Sequence, residues 1–174
     1  MKTHISDLND LAYADALTSV HNKGAFDIHV QKMQAQLQEA NGALEFAVCI
    51  FDCNGLKAIN DHYGHEKGDI YLKTTCSLIC NVFDHSPVFR IGGDEFAAVL
   101  QNADYQDREQ LLRLFDTSCA TMREQEDAIW EQVDVARGIA VSDPELDSTV
   151  NDVVRRADKL MYENQWTAKG LSPE

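Results

Sequence analysis

Apolar side chains recur along this chain with two spacings, one typical of helices and the other typical of strands. Four stretches place them three or four positions apart, which predicts four amphipathic helices. The positions on one face of each helix are, in chain order, Phe26, Val30, Met33 and Leu37; Leu72, Cys76, Ile79 and Phe83; Leu111, Phe115, Ser118 and Met122; and Val150, Val153, Val154, Ala157, Leu160 and Met161. These four faces are expected to pack on a common core.

Shorter and denser apolar runs lie between these helices and predict strands. Residues 46–51 indicate a buried strand that ends at Asp52, and another strand is expected at about 133–141. Residues 88–91 and 96–100 have the character of the two arms of a hairpin. The order is helix, strand, helix, hairpin, helix, strand, helix. It predicts an α+β fold with a largely antiparallel or mixed sheet covered by helices.

Composition limits the classes of partner. A chain of 174 residues with 44% hydrophobic content predicts one compact domain with a single core. The net charge of -14 disfavours duplex nucleic acid and anionic membranes, because both would be repelled, and a polyphosphate ligand would need intervening cations. No apolar run approaches the roughly 20 residues of a spanning helix, and the N-terminus lacks the features of a signal peptide. A cytoplasmic location is therefore expected.

The cysteines of the chain are expected to be structural. They are odd in number and lie mostly within apolar runs, which favours buried reduced thiols. The residues are Cys49, Cys53, Cys76, Cys80 and Cys119. A zinc site is disfavoured because Cys49 falls within a predicted strand and no His/Cys set completes a ligand pattern of the usual spacing.

The connection between the two arms of the predicted hairpin has the strongest chemical character. Gly92 and Gly93 supply the permissive backbone that a tight connection needs, and Asp94 and Glu95 follow directly. A hairpin needs no pair of acids, whereas adjacent carboxylates at a strand start can hold a divalent metal. The glycines also allow a bulky charged ligand to approach the main chain. Arg90, just before them, could pair with the acids.

A second candidate site follows the first predicted strand. Asp52 ends this strand beside the Asn54-Gly55 turn, where exposed backbone amides could bind phosphate. Lys57 could offset the phosphate charge, while Asn60 and Asp69 could hydrogen-bond a base. The alternative for Asp52 is a turn or helix-capping role, and Asn60 and Asp69 are also plausible at helix starts.

Five motifs in order resemble one known family. They are Asp15-Ala16-Leu17-Thr18 with His21-Asn22-Lys23 and Phe26; Phe51-Asp52 through Gly68-Asp69; Gly92-Gly93-Asp94-Glu95-Phe96; Val135-Ala136-Arg137-Gly138-Ile139-Ala140; and Ala157-Asp158 to Met161-Tyr162. Together they cover nearly the whole chain and resemble a GGDEF domain, the catalytic domain of the diguanylate cyclases of bacterial signalling. The resemblance implies a ferredoxin-like βαββαβ core with added helices, akin to the palm of polymerases and nucleotidyl cyclases.

The resemblance also implies a reaction. Two GTP molecules, one on each protomer of a facing homodimer, would condense to cyclic di-GMP with release of two pyrophosphates. Asp52, the backbone carbonyl of Cys53 and Asp94 would hold two Mg²⁺ or Mn²⁺ ions. Asp94 would accept the proton with Glu95 beside it, and Lys57 would stabilise the transition state.

Further positions would contact the substrate. Backbone amides near Gly55 and Leu56 would hold the phosphates, and Asn60 and Asp69 would bind guanine. The glycine pair Gly92-Gly93 and the cation Lys169 complete the implied site. The family implies a sensor or receiver upstream, so residues 1–14 are interpreted as the tail of a connecting helix and residues 15–174 as the catalytic domain. The whole protein could then be longer and attached to a membrane.

Departures from the family pattern leave alternatives open. The phosphate-binding lysine of the last helix is replaced by Gln165, although Lys169 stands where the family has an arginine. Phe83 and Ser86 replace the Arg and Asp of the family's inhibitory product site, so feedback there is expected to be absent. The alternatives are a catalytically silent module that binds GTP and regulates an attached domain, and a nucleotidyltransferase that makes a mixed or linear dinucleotide.

Overall fold

The computed structural model describes residues 11–170, which form an antiparallel sheet flanked by helices. The elements are, in chain order, α1 (Lys23–Glu39), β1 (Ala47–Cys53), α2 (Leu56–Tyr63), α3 (His65–Val82), β2 (Val88–Arg90), β3 (Glu95–Leu100), α4 (Asn102–Gln106), α5 (Arg108–Gln125), β4 (Val135–Val141) and α6 (Val150–Ala168). Residues 1–10 of the predicted connecting helix (1–14) lie outside the described part of the chain. Residues 11–13 are helical.

The sheet has the order β2-β3-β1-β4, and every neighbouring pair is antiparallel. With α3 and α5 as the two crossovers, this is the predicted ferredoxin-like βαββαβ core. Strand β1 lies in the interior of the sheet. Cys49 and Phe51 belong to the apolar cluster under α3 and α5, whereas Val48 and Ile50 belong to the cluster under α1 and α6. Burial on both faces explains the continuous apolar run of β1.

Several predicted boundaries were wrong by one or two residues, and two helices were missed: α2, and the short α4, which replaces a predicted polar turn. β1 ends at Cys53 rather than Asp52, and β4 begins at Val135 rather than near 133. Helix α2 was not predicted because it buries a single apolar side chain, Ile59, and so has no stripe.

The helix faces also needed corrections. Leu160 was placed on the buried stripe of α6 but is 43% exposed. In α5, Cys119 is buried, whereas Ser118 donates a hydrogen bond from its hydroxyl to the carbonyl of Leu114 at 2.8 Å. Phe83 is fully buried but lies just after α3 ends.

One glycine sets the distance between α6 and the sheet. A Cβ on Gly138 in β4 would lie 2.1 Å from the backbone nitrogen of Met161 and 2.3 Å from the carbonyl oxygen of Ala157. The backbones of helix and strand are therefore in direct contact, which fixes where the later residues of α6 lie. Within the described residues, no helix is both long and apolar enough to cross a membrane.

Candidate active site

Three carboxylates meet where β1 and β3 lie side by side. Asp52 is the register partner of Glu95, and the Cys53 amide donates a 2.8 Å hydrogen bond to the carbonyl of Asp94. Antiparallel pairing thus brings together two segments that are about forty residues apart in the sequence. The structure places both predicted acidic positions at one site.

The clustering of charge is reflected in the pKa of two of these acids. Burial first, and then the charges of Asp94 and Glu95, raise the pKa of Asp52 to about 6. Burial, Asp158 and Asp94 raise the pKa of Glu95, while Lys23 acts against this shift. Such a concentration of acids, each disfavouring ionisation of the next, is stabilised by a cation. Asp158 was not among the predicted site residues.

Arg90 holds the turn between β2 and β3 from outside the acid cluster. Its guanidinium donates a 2.7 Å hydrogen bond to the carbonyl of Gly93 and lies 3.3 Å from both carboxylate oxygens of Asp15. Burial acts against the shift, but hydrogen bonds from Thr18 and the charge of Arg90 lower the pKa of Asp15. The predicted pairing of Arg90 with the acids of the turn is thus replaced by a pair with Asp15.

The glycines of this turn do not supply the special backbone conformation that was predicted for a tight connection. Neither Gly92 nor Gly93 adopts the left-handed backbone region. A Cβ on Gly92 would instead lie 2.8 Å from a carboxylate oxygen of Glu95, so Gly92 leaves space for that side chain. Gly93 is exposed, and a Cβ there would meet no described atom within 4 Å.

The turn between β1 and α2 is held by the buried side chain of Tyr71. Its hydroxyl lies 2.9 Å from the carbonyl of Asn54 and 2.6 Å from that of Asp134, and the Asn54 amide donates to the latter carbonyl at 2.8 Å. Gly55 has φ +74°, a conformation that favours glycine. The predicted apolar stripe of α3 did not include Tyr71, and no local signal showed its role at the turn.

The start of α2 can receive an anion. Among the described residues, no side chain caps this helix at Gly55, so the amides of its first turn, beginning at Leu56, are available to a ligand. Lys57 lies in the same turn and is exposed. The structure thus brings the predicted phosphate-binding positions together.

The two residues predicted to bind guanine lie on different helices that touch. A Cβ on Gly68 in α3 would lie 1.8 Å from the side-chain oxygen of Asn60 in α2, so the Asn60 amide packs directly on the backbone of α3. Asp69 is the next residue and is exposed. Gly64 alone separates the two helices, with φ +88° and ψ 161°.

Helix α6 completes the site from the opposite side. The Gln165 side-chain amide donates to a carboxylate oxygen of Asp52 at 3.2 Å and to the side-chain oxygen of Asn54 at 3.0 Å. Lys169 follows at the end of the helix, and its charge acts to lower the pKa of Asp52. Gln165 therefore contacts the acid cluster directly, which the sequence did not reveal.

Comparison with known proteins agrees with this arrangement. The family profile described as "Diguanylate cyclase, GGDEF domain" matches residues 12–170. The chain belongs to the GGDEF family. Probable diguanylate cyclase DgcT of Escherichia coli (strain K12) is 28% identical over 165 residues, covering 92% of this chain and 35% of that protein. Diguanylate cyclase DgcZ of the same strain is 27% identical over 160 residues, covering 89% of this chain and 51% of that protein.

A solved structure shares the fold of this GGDEF domain. The coiled coil and GGDEF domain of DgcB from Caulobacter crescentus, in complex with c-di-GMP, matches with a TM-score of 0.79 and 23% identity, covering 98% of this chain and 88% of that chain. The predicted palm-like α+β fold is confirmed. The chain spans only about a third to a half of the two curated relatives, so those proteins contain further segments.

The possible metal ligands at the acid cluster of this GGDEF domain are oxygen atoms from few side chains, which suits a hard cation. Within residues 11–170, no group of three or more His, Cys, Asp or Glu side chains is arranged to hold a metal. The thiol of Cys53 is buried, and burial raises its pKa to about 12. The carboxylates of Asp52, Asp94 and Glu95 and the backbone carbonyl of Cys53 are the oxygen donors at the site, and they are of the type that Mg²⁺ prefers.

The positions of the family's inhibitory product site are used structurally here. Phe83 is fully buried in the core. The Ser86 hydroxyl donates a 2.6 Å hydrogen bond to the buried carboxylate of Asp104, which also accepts from the amide of His85. Neither Phe83 nor Ser86 presents a charged group to a ligand.

Proposed function

We propose that this GGDEF domain is a diguanylate cyclase that condenses two GTP molecules into cyclic di-GMP and releases two pyrophosphates. The observation that carries the proposal is the convergence of Asp52, Asp94 and Glu95 beside the uncapped first turn of α2. Family membership supports the same reaction. The alternative roles of Asp52, Asn60 and Asp69 in turns and caps do not explain why three acids converge.

Asp52, Asp94 and the backbone carbonyl of Cys53 are proposed to hold two Mg²⁺ or Mn²⁺ ions. When bound, the ions would acidify the attacking hydroxyl and neutralise the triphosphate. The acid cluster supports this assignment, because burial and then the charges of Asp94 and Glu95 raise the pKa of Asp52, and a cation would offset the repulsion between these charges. Its oxygen donors match the ligands of hard cations.

The remaining roles follow from the elements that carry each residue. The 3′-hydroxyl of one GTP forms a bond to the α-phosphorus of the other, the bond to pyrophosphate breaks, and the proton passes to Asp94, with Glu95 beside it. Lys57 and the amides of Gly55 and Leu56 bind the phosphates as negative charge develops. Lys169 adds a second cation.

Guanine is proposed to bind at the contact between α2 and α3. The Asp69 carboxylate accepts hydrogen bonds from the N1-H and exocyclic amine of guanine, and the Asn60 amide supplies a further donor and acceptor. An acid at Asp69 disfavours adenine, whose edge offers a different pattern of donors. The exposed backbone at Gly93 leaves room for a second nucleotide.

The reaction requires two copies of the domain, since each protomer supplies one GTP and the half-sites must face each other. A homodimer is therefore proposed, brought together by a sensor or receiver domain upstream. The solved structure of DgcB from Caulobacter crescentus has a coiled coil beside its GGDEF domain. A cytoplasmic location, where GTP is available, is part of the proposal.

Gln165 favours a second candidate, a silent module that binds GTP and regulates an attached domain. Its amide contacts Asp52 at the position where the family has a cation. The retention of Asp52, Lys57, Asp94 and Glu95 together favours catalysis over this alternative, because binding alone does not require that set.

Substrate competition and one matched pair of variants test the proposal. GTP and ATP are supplied together with Mg²⁺, and the products are separated by mass-resolved chromatography. Cyclic di-GMP without mixed dinucleotides is expected from the native chain and from Asp61→Asn, which neutralises an exposed acid of α2. Asp94→Asn is expected to abolish the product. A mixed or linear dinucleotide would contradict the proposal, as would full activity of Asp94→Asn.

A further inference from the structure

The indole of Trp130 lies against two helices at once. Its ring centroid is 4.8 Å from that of Tyr63, the last residue of α2, and the ammonium of Lys67, in the first turn of α3, lies 4.9 Å from its centroid. Trp130 itself belongs to the loop between α5 and β4 and is partly buried. One side chain from a distant segment thus bridges the junction of α2 and α3.

That junction has little stiffness of its own. Gly64 both ends α2 and begins α3, with φ +88°, and within the described residues no side chain caps the start of α3 there. A Cβ on Gly64 would meet no described atom within 4 Å. Packing must therefore set the angle between the helices, both where Asn60 lies on Gly68 and where other segments contact the junction.

Beside the junction, α2 and the loop that carries Trp130 are not fully packed against each other. A cavity of about 320 Å³ separates Ala58, Ile59 and His62 from Ile129 and Gln132. Ile59 anchors α2 in the core, and the stack of Trp130 on Tyr63 and Lys67 adds a second contact at the end of α2 that adjoins α3.

The loop is anchored on its other side to the β1–α2 turn. The carbonyl of Asp134 accepts from the Asn54 amide at 2.8 Å and lies 2.6 Å from the Tyr71 hydroxyl. The side-chain amide of Gln132 donates to the carbonyl of Glu126 at 2.8 Å. A loop fixed in this way can hold Trp130 as a firm support for the two helices.

The supported junction lies between the two proposed guanine-binding residues. Asn60 is on α2, one turn before Tyr63, and Asp69 is on α3, two residues after Lys67. Gly68 brings the Asn60 side chain onto α3. A small change in the angle between the helices would separate the amide and the carboxylate that bind one base.

We propose that Trp130 is a positioning residue that holds Asn60 and Asp69 in register for guanine. The inference rests on the proposed function, since it concerns the base that the site selects. Trp130 acts through Tyr63 and Lys67 and touches no reacting atom. Its loss therefore weakens recognition of guanine more than it slows the chemical step.

The test compares Trp130→Ala, Trp130→Phe and the control Ile129→Ala, which shortens a half-exposed neighbour in the same loop. The steady-state constants are measured with GTP and with inosine triphosphate, which lacks the exocyclic amine. Trp130→Ala is expected to raise the KM for GTP about tenfold, because it removes an aromatic stack and a cation–π contact. The change in kcat should be smaller. In Trp130→Ala the ratio of kcat/KM for GTP to kcat/KM for inosine triphosphate should also fall. Trp130→Phe should keep a KM for GTP and a preference for GTP close to those of the native chain. Ile129→Ala should have the same KM and the same preference as the native chain.

A purely structural role predicts another pattern. If Trp130→Ala only lowers the amount of folded protein, kcat falls in proportion to the folded fraction, which circular dichroism measures. The KM for GTP and the preference for guanine then stay unchanged, and that result would overturn the inference. Calorimetric titration with GDP and with inosine diphosphate separates the two proposals. If the native chain binds GDP selectively and Trp130→Ala does so equally well, the inference alone fails. If the native chain binds no guanine nucleotide, the proposed function and the inference fail together.

Discussion

The side-chain amide of Gln165 donates a 3.2 Å hydrogen bond to a carboxylate oxygen of Asp52. A neutral group thus occupies the position where the family usually has a phosphate-binding lysine. The contact satisfies one oxygen of Asp52 but supplies no positive charge to balance Asp94 and Glu95, whose charges add to burial in raising the pKa of Asp52.

Restoring a cation at this position is expected to strengthen substrate binding. Gln165→Lys should lower the KM for GTP by a factor equivalent to about 1 to 3 kcal/mol, because a charge-assisted hydrogen bond to phosphate replaces a neutral one. Gln165→Met, which has similar length and no donor, is the control. An unchanged KM in Gln165→Lys, measured from initial rates, would show that Gln165 lies away from the triphosphate.

The raised pKa of Asp52 predicts how stability depends on pH without metal. Its pKa is about 6 in the folded chain and 3.8 when exposed, so the folded state binds the proton more tightly. This contribution is complete below pH 3.8 and is lost as the pH rises through 6. Asp52→Asn should therefore be more stable than the native chain at pH 8, by about 1 to 2 kcal/mol after allowance for solvent screening of a half-buried group.

Urea unfolding at pH 8 and at pH 4, with a chelator present, measures this difference. The advantage of Asp52→Asn should shrink at pH 4, and the variant should be inactive. An equal advantage at both values of pH would mean that the charge of Asp52 is not the cause.

Metal binding should stabilise the native chain through the same acids. Added Mg²⁺ or Mn²⁺ should raise the Tm at pH 8, because ligands that bind only the folded state shift the unfolding equilibrium. The increase should be absent in Asp52→Asn and much smaller in Asp94→Asn. Asp61→Asn, the exposed control, should respond as the native chain does. An equal increase in all four proteins would indicate metal binding elsewhere.

The contact of α6 with β4 predicts a large effect of one methyl group. Gly138→Ala should destabilise the domain by about 3 kcal/mol or more, because the new Cβ meets backbone atoms of α6 that cannot rotate away. Gly93→Ala, where a Cβ would meet open space, should change the free energy of unfolding by less than about 0.5 kcal/mol. Chemical denaturation measures both. Comparable values for the two variants would contradict the close helix–strand packing.

We expect the product, cyclic di-GMP, to inhibit only by competing with GTP for the active site. Phe83 is buried and Ser86 is hydrogen-bonded to Asp104, so neither position can bind a second cyclic di-GMP. Product added to the reaction should inhibit only through the active site, and saturating GTP should remove the inhibition. Inhibition that persists at saturating GTP would reveal a separate product site.

Much of the fold could be predicted because its core is strongly patterned. The run at 46–51 is apolar throughout because β1 is buried on both faces, and this pattern can be recognised from the sequence without knowing which elements pack against the strand. Helix α2 escaped prediction because Ile59 is its one buried residue. Leu160 was misplaced because an apolar residue at helical spacing can still face outward.

The candidate site was predictable where local chemistry is unusual. Asp52, Asp94 and Glu95 follow glycine-rich or apolar segments and stand out in the sequence. Asp158 and Tyr71 reach the site through tertiary packing, and their sequence neighbourhoods are ordinary for a helix. The pairing of Arg90 with Asp15 depends on how residues 12–22 pack beside β2, which no spacing reveals.

The product formed from GTP at increasing protein concentration tests the central claim most directly. The purified chain is incubated with GTP and Mg²⁺ or Mn²⁺, and cyclic di-GMP and pyrophosphate are quantified by mass-resolved chromatography. A dimer-dependent cyclase should release two pyrophosphates for each cyclic di-GMP, at a rate that rises more steeply than protein concentration. GTP that stays intact at the highest concentration, although calorimetry shows that it binds, would contradict the account and identify a silent GTP-binding module.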